Sequence, residues 1–176
     1  MSDLLITRAT EADVAELGVI GPAAYAAAYH EDWDDAPAFA RQVLGFGPDA
    51  MRAFMARPET RTWIAREEGV GVGFLTMVLG ALEPISSRPN GAEIPRIYLL
   101  PGARRGGIGR KLLDLAETQA RLEGCDYVWL DVLEHAEWAR AAYERWGFSD
   151  IGGTIFPGGL RPGRSRGMRV MVKELN

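Results

Sequence analysis

A short apolar strand that leads into a glycine-rich turn and then a helix is the feature of this sequence that most constrains its fold. The apolar run at 97–100 is cut at Pro101, and Gly106, Gly107 and Gly109 follow two arginines. After Gly109 the apolar residues recur at three- and four-residue intervals, which is typical of an amphipathic helix. The first N–H groups of a helix have no internal partner and lie at the positive end of its dipole. The turn is therefore predicted to bind an anionic group such as a phosphate.

Two widespread nucleotide-binding motifs do not fit this turn. A P-loop requires a lysine after the last glycine of GxxxxGK[ST], and Ile108 follows the correctly spaced Gly102 and Gly107. A dinucleotide fingerprint requires a third glycine, and only Leu112 follows Gly107 and Gly109 at that spacing. Both interpretations are rejected.

Length and composition limit the class of protein. A chain of 176 residues with 47% hydrophobic and 25% charged residues fits one globular domain over 1–176. The net charge of −4 argues against a nucleic-acid partner and favours a cationic substrate. The single cysteine, Cys125, excludes an internal disulfide and indicates a reducing compartment. No signal peptide and no membrane-spanning run is recognisable, so we expect a cytoplasmic location and no membrane partner.

The hydrophobic pattern predicts an α/β chain. Strands are predicted at 4–8, 61–67 and 70–79, in the apolar run before the glycine-rich turn, and at 127–132, 148–156 and 167–172. Helices are predicted from Val14 to an interruption at Gly21-Pro22 and on towards His30, at 39–55 with a break at 45–48, after the glycine-rich turn as far as Glu123-Gly124, and at 135–146. A strand–helix–strand unit with parallel strands therefore surrounds the glycine-rich turn.

The pattern that remains at 104–109, RRGGIG, is similar to the [RQ]-x-x-G-x-[GA] pyrophosphate loop of the GNAT superfamily of acetyl-CoA-dependent N-acetyltransferases. Farther along, 130–132 (LDV) and 139–148 (ARAAYERWGF) resemble the family's L-x-V and Y-x-x-x-G-F segments. Both parts occur in the family's order, and the resemblance covers 93–148. One position departs from the family pattern, because the usual asparagine falls at Ala136.

Within the superfamily, the sequence most resembles the bacterial polyamine N-acetyltransferases of the PaiA type, through 96–101, 129–135, 143–148 and 171–175. The resemblance implies a GNAT-like single mixed β-sheet with helices on both faces. It also implies direct transfer of an acetyl group from acetyl-CoA to a primary amine of a small molecule, for which a polyamine is one candidate. The implied partner is this small-molecule amine, and a homodimer is left open.

The resemblance implies that acetyl-CoA binds along the central strand and its loop. The residues carried over are Ile97, Tyr98, Leu99, Arg104, Arg105, Gly106, Gly107, Ile108, Gly109 and Arg110. Backbone N–H groups of Leu99 and its neighbours would polarise the thioester carbonyl. The pantetheine arm would lie along the strand edge like an added strand.

Three residues are candidates for proton transfer. Tyr143 is the candidate general acid, because a phenol with a pKa of about 10 can donate a proton to a thiolate leaving group. The alternative is a core tyrosine that packs beside Phe148. Glu93 and Asp131 are candidates for the base that an ammonium group requires, and the alternative for each is an ordinary solvated carboxylate.

The acceptor site is predicted from composition. Asp32, Asp34 and Asp35, with Trp33, form an acidic loop that could bind a cationic acceptor, and the alternative is a solvated loop with a buried tryptophan. Arg161, Arg164, Arg166 and Arg169, in and after the stretch at 157–166, could reach a nucleotide phosphate, and the alternative is a solvated hairpin. No metal site is predicted, because the two histidines lack partners at metal-ligand spacing.

Two other functions remain open at this point. The chain could acetylate protein amino termini or lysines, which requires a groove for an extended peptide. It could also be a non-catalytic acyl-CoA sensor, which is suggested by Ala136 in place of the family's asparagine.

Overall fold

Seven β-strands and five α-helices lie within residues 3–175, which the computed structural model describes. The strands are β1 (Leu4–Arg8), β2 (Thr60–Glu67), β3 (Val70–Leu79), β4 (Gly91–Leu99), β5 (Tyr127–Leu133), β6 (Ser149–Ile155) and β7 (Gly167–Glu174). The helices are α1 (Val14–Tyr29), α2 (Ala36–Leu44), α3 (Pro48–Met55), α4 (Ile108–Leu122) and α5 (Glu137–Arg145).

One mixed sheet contains all these strands, in the order β1-β2-β3-β4-β5-β7-β6. β4 and β5 are parallel, as the strand–helix–strand unit predicts, and the other neighbouring pairs are antiparallel. The predicted terminal pair of antiparallel strands is β6 and β7. The parallel pair lies in the middle of the sheet, where helix α4 connects its two strands.

Two apolar cores lie on opposite faces of the sheet, because successive residues of a strand point to opposite sides. On one face, Leu75 of β3 belongs to a buried cluster with Leu112 of α4. On the other face, Phe74 of β3 packs in a second cluster with Leu17 of α1 and Met51 of α3. Each fully buried side chain of this size contributes roughly 1.5–3 kcal/mol to the free energy of folding. The predicted α/β class, with one mixed sheet and helices on both faces, is confirmed.

Pro22 lies inside α1 and does not end it, so the predicted interruption at Gly21-Pro22 is wrong. A proline inside a helix removes a hydrogen bond and crowds the carbonyl of the residue four positions earlier, here Gly18. Tertiary packing offsets this cost, because Gly18 and Gly21 allow the helix to lie directly against Pro48 and Phe46. A Cβ atom at Gly18 would lie 2.6 Å from the Pro48 side chain. The helix therefore continues to the predicted end of the segment.

The other elements lie where the sequence predicts them, with ends shifted by a few residues. α2 begins at Ala36 rather than at Phe39, because the Asp35 carboxylate caps it and accepts a hydrogen bond from the Ala38 N–H at 3.0 Å. The predicted break between α2 and α3 ends at Pro48, which occupies the favoured first position of α3.

Candidate active site

The parallel strands β4 and β5 separate soon after they begin, which opens a gap in the middle of the sheet. They share only the first three residue pairs of β4. Farther along β4, the Leu100 N–H donates a hydrogen bond to the Val72 carbonyl of the preceding hairpin at 2.9 Å. Since hydrogen-bonded and non-hydrogen-bonded pairs alternate in an antiparallel ladder, the N–H groups of Ile97 and Leu99 point away from β3. They are directed into the gap, where an extended ligand can accept hydrogen bonds from them.

The predicted anion-binding loop lies at the end of β4, beside this gap. Gly107 has a left-handed conformation, with a φ of 70°, and directly precedes α4. Glycine adopts this conformation readily because it has no Cβ atom. Gly109 allows close packing of the helix start, since a Cβ there would lie 3.1 Å from the Trp146 ring and 3.4 Å from the Leu99 side chain. Gly106 and Gly107 are exposed, so the positive end of the helix is open to an anion.

A cavity of about 240 Å³ lies along this edge of β4, and we refer to it as the β4 cavity. Half of the predicted cofactor-binding residues line it, namely Ile97, Tyr98, Leu99, Arg104 and Gly109. The rest of its wall consists of Ala28, Tyr29, Trp138, Ala139, Ala142, Tyr143, Arg145 and Trp146. The other predicted residues, which are Arg105, Gly106, Gly107, Ile108 and Arg110, belong to the loop and the first turn of α4. Their contact with a cofactor stays a prediction.

Trp138 is a candidate cofactor-contacting residue that the sequence interpretation missed. Its side chain is 55% exposed, and the Arg104 guanidinium lies over its ring, 5.3 Å from the centroid. The Tyr29 ring lies 6.5 Å from the Trp138 ring, between centroids. Ala136, at the position of the family's asparagine, is buried and has no polar side chain. Trp138 and Arg104 line the cavity instead. The sequence did contain a signal for this residue, because Trp138 directly precedes the family-like segment at 139–148.

Tyr143 lies in the wall shared by the β4 cavity and a second cavity. Its ring packs edge-on against Trp146 and Phe148, with centroids 5.8 and 5.7 Å apart, so the ring is also part of the packing. Burial raises the pKa of the Tyr143 phenol well above its usual value of about 10, and Tyr29 and Asp131 act in the same direction. The phenol keeps its proton at neutral pH and can donate it.

The second cavity, of about 170 Å³, shares Tyr29, Ile97, Tyr98 and Tyr143 with the β4 cavity, and we refer to it as the aromatic cavity. It is lined by Tyr25, Tyr29, Gln42, Ile97, Tyr98, Asp131, Val132, Leu133, Tyr143, Phe156 and Met168. Tyr25 is the centre of the ring cluster, with centroids 5.2 Å from Tyr29 and 6.2 Å from Tyr98. Tyr143 therefore borders both cavities.

The two candidate bases, Glu93 and Asp131, lie where β4 and β5 begin to separate. Glu93 is in register with Trp129, and Asp131 follows two residues later, so both carboxylates lie on the same face of the sheet. Burial raises the pKa of Glu93, the charge of Asp131 raises it further, and Arg96 opposes this. Asp131 is reached by solvent, but the surrounding walls partly desolvate it and raise its pKa. A raised pKa makes each carboxylate a better proton acceptor.

The side chains of the acidic loop between α1 and α2 have different environments. Asp35 caps α2, and Asp34 is exposed. Neither residue belongs to the described lining of the two cavities. Trp33 packs edge-on against Phe156, with centroids 6.2 Å apart, and so supports the wall of the aromatic cavity. Substrate binding by Trp33, Asp34 and Asp35 stays a prediction.

Asp32 joins three segments that are distant in the sequence. Its side chain is 3% exposed, and its carboxylate accepts hydrogen bonds from His135 Nε2, at 2.9 Å, and from Arg164 Nε. Its backbone carbonyl accepts a hydrogen bond from the Arg161 N–H at 2.8 Å. Most of the stretch at 157–166 is exposed, and Arg164 fastens it to the buried Asp32. These contacts hold the stretch that follows Phe156 against the site.

Replacing Asp32 with asparagine is expected to lower the free energy of unfolding by roughly 2 kcal/mol, because the change weakens the hydrogen bonds of a buried carboxylate to the partly exposed Arg164 and His135 side chains. Urea denaturation measures this directly. The matched control is Asp34→Asn on the exposed part of the same loop, which should change the stability by less than about 0.5 kcal/mol. Equal effects of the two substitutions would contradict the role assigned to Asp32.

The remaining chemistry-bearing groups do not form a further centre within residues 3–175. No three His, Cys, Asp or Glu side chains in that range come together closely enough to hold a metal ion. Cys125 lies after α4, and burial raises the pKa of its thiol, which opposes formation of the reactive thiolate. No helix in that range is long and apolar enough to cross a membrane.

Comparisons with known proteins identify the family of this chain. The sequence model of the acetyltransferase (GNAT) family matches residues 24–148, which is more than half of the chain. An N-acetyltransferase encoded in the pepI 3′ region of Lactobacillus delbrueckii subsp. lactis is 26% identical over 158 residues, covering 89% of this chain and 90% of that protein. An IAA acetyltransferase of Azospirillum brasilense is 34% identical over 98 residues, covering 56% of this chain and 60% of that protein.

The fold also matches solved structures along nearly the whole chain. The PaiA N-acetyltransferase of Thermoplasma acidophilum, in complex with coenzyme A, superposes with a TM-score of 0.78 at 17% identity, covering 98% of this chain and 99% of that chain. The ribosomal-protein-S18-alanine N-acetyltransferase of Escherichia coli gives a TM-score of 0.72 at 16% identity, covering 98% of this chain and 94% of that chain. The chain belongs to the acetyltransferase (GNAT) family, and the predicted family and acyltransferase class are confirmed.

Proposed function

We propose that this protein transfers an acetyl group from acetyl-CoA directly to a primary amine of a small molecule. The observation that carries the proposal is the position of Tyr143 between the two cavities. One cavity leads to an anion-binding loop, and the other contains a carboxylate, so a donor and a cationic acceptor can reach the same phenol.

The β4 cavity has room for the thioester end of acetyl-CoA, which supplies the acetyl group, and the rest of the cofactor would extend along β4 to the loop. Its pyrophosphate would lie on the exposed start of α4, where Gly107 leaves the backbone open. The N–H groups of Ile97 and Leu99 would hold the pantetheine arm as an added strand. Arg104 is close enough to add a positive charge, and Trp138 covers the outer side. The PaiA relative is named as a complex with coenzyme A, which supports this choice of cosubstrate.

The acceptor amine has to lose a proton before it can attack. A primary ammonium with a pKa of about 10.4 is some three units above neutral pH, so deprotonation costs about 4 kcal/mol. Asp131 and Glu93 are the carboxylates placed to accept this proton, either directly or through water. They act only in the ionised form, so acetylation should decline as the pH falls through their raised pKa values.

The leaving thiolate then needs a proton, and the Tyr143 phenol is the donor. Its pKa is above that of a thiol, which is about 8.5, so the phenol is protonated before the reaction begins. During the attack, negative charge develops on the oxygen of the thioester carbonyl. The N–H of Leu99, which is directed into the gap, would stabilise this charge.

A small amine suits the aromatic cavity, whose volume is about 170 Å³. No lysine or arginine is among the described residues that line this cavity, so a cationic amine would meet no like charge there. A polyamine, as suggested by the PaiA resemblance, remains one candidate acceptor.

A panel of primary amines, assayed for release of CoA from acetyl-CoA, tests the proposal. We expect amine-dependent CoA release that equals the amount of N-acetylated amine found by mass spectrometry. The controls are the tertiary amine analogues, which cannot form a stable amide. Acetylation of peptides but of no small amine would favour a protein acetyltransferase. Binding of acetyl-CoA without turnover of any amine or peptide would favour the sensor function and contradict the proposal.

A further inference from the structure

We infer that the acceptor is an arylalkylamine, a primary amine with one positive charge and an aromatic body, and that Asp131 pairs with its ammonium group. This inference rests on the proposed function and names the substrate class of the same site. It comes from the arrangement of one carboxylate and several aromatic rings around the aromatic cavity.

The cavity provides one site for a positive charge. Among the described residues that line it, Asp131 is the only acid, and none is a lysine or an arginine. Asp131 lies on β5 in the same lining as Tyr143, and its charge contributes to raising the pKa of the Tyr143 phenol, so an amine paired with Asp131 would be near that phenol. A bound ammonium favours the ionised form of the carboxylate, which offsets the partial desolvation that raises its pKa.

The opposite wall is aromatic and uncharged. Burial raises the pKa values of Tyr25 and Tyr29 to about 12, so both phenols are neutral at physiological pH. Tyr25 meets the Tyr98 ring at 75°, in an edge-on contact, and the Phe156 ring lines the cavity as well. Contact of a ligand's aromatic ring with these rings would contribute about 0.5–1.5 kcal/mol to binding, in addition to the contribution of the apolar area that the ring buries.

A polyamine fits this lining poorly. Its second ammonium group would be desolvated among tyrosine, phenylalanine and methionine side chains, with no second carboxylate in the lining. Cation–π contact with the rings would offset only part of that cost. Trp33 packs against Phe156 from outside the lining and holds this uncharged ring in the wall that a second ammonium group would meet.

Acceptor selectivity tests this inference with three amines of known charge: phenethylamine, hexylamine and putrescine. We expect kcat/KM for phenethylamine to exceed that for putrescine by about 10-fold or more, with hexylamine between them. A preference for putrescine or spermidine, with amine acetylation otherwise intact, would overturn the inference and leave the proposed function standing. No acetylation of any amine would overturn both.

Two substitutions test which residues of the cavity contact the ammonium group and the aromatic ring of the acceptor. Asp131→Asn should raise KM for phenethylamine by about 10-fold or more, because the ammonium loses its counter-charge, and kcat should fall as well because a proton acceptor is lost. Phe156→Leu should reduce the preference for phenethylamine over hexylamine, while thermal melting confirms that the variant is folded. Asp49→Asn removes a carboxylate on the exposed surface of α3 and should leave KM unchanged. An increase of KM in Asp34→Asn but not in Asp131→Asn would place the acceptor on the acidic loop and overturn the inference.

Discussion

Replacing Tyr143 with phenylalanine is expected to lower kcat by about 10²-fold or more while the protein remains folded. The substitution keeps the ring that packs against Trp146 and Phe148 and removes only the hydroxyl. Without the phenol, the thiolate has to leave without a proton from the protein, and general-acid catalysis of this kind contributes about 10²–10⁴-fold. Steady-state kinetics at saturating amine and acetyl-CoA measure the effect.

Tyr127→Phe is the matched control for this experiment. Tyr127 is also a buried tyrosine, and its hydroxyl donates a hydrogen bond to the Arg88 carbonyl at 2.6 Å, outside both cavities. Loss of this hydrogen bond should lower the free energy of unfolding by about 1 kcal/mol and leave kcat unchanged. If both variants kept the original kcat, Tyr143 would be a packing residue, and the thiolate would require another proton donor.

Replacing Gly107 with valine is expected to abolish the stabilisation of the protein by acetyl-CoA. At a concentration of about 100 times Kd, a ligand that binds only the folded state stabilises it by about 2.7 kcal/mol, or roughly 5–10 °C in Tm for a chain of this size. A β-branched residue is strongly disfavoured at the φ of 70° that Gly107 adopts. The loop should therefore leave the conformation that opens the start of α4 to the pyrophosphate.

Gly124→Val controls for the strain itself. Gly124 also has a positive φ, of 80°, and neither glycine has a neighbouring atom within 4 Å of the Cβ position. Gly124 lies just beyond the other end of α4, so its replacement should lower the Tm without reducing the acetyl-CoA shift. An unchanged shift in Gly107→Val would mean that the glycine-rich loop does not hold the cofactor.

The central part of the fold could be predicted because its signals are local. A cut apolar strand, a glycine-rich turn and a periodic helix follow one another within about twenty residues, and each is specified by its own residue types. The continuous helix α1 could not be predicted, because Pro22 is a strong local signal for an end. Only the contacts of Gly18 and Gly21 with the segment around Pro48 show why the helix persists.

The acceptor side of the site was harder to predict because its residues come from many segments. Tyr25 and Tyr29 belong to α1, Asp131 to β5, and Phe156 follows β6. The buried contact of Asp32 with Arg164 spans most of the chain, and no periodic pattern connects the two residues. An acidic loop is visible in the sequence, but which of its carboxylates is buried, caps a helix or faces solvent depends on the tertiary structure.

A crystal structure of the protein with CoA tests most directly whether the separated strands and the glycine-rich loop form the acetyl-transfer site. We expect the pyrophosphate on the exposed start of α4, the pantetheine arm along Ile97 and Leu99, and the thiol sulfur within about 4 Å of the Tyr143 hydroxyl. CoA bound elsewhere, or bound in the gap with its sulfur remote from Tyr143, would contradict the site and the role of the phenol.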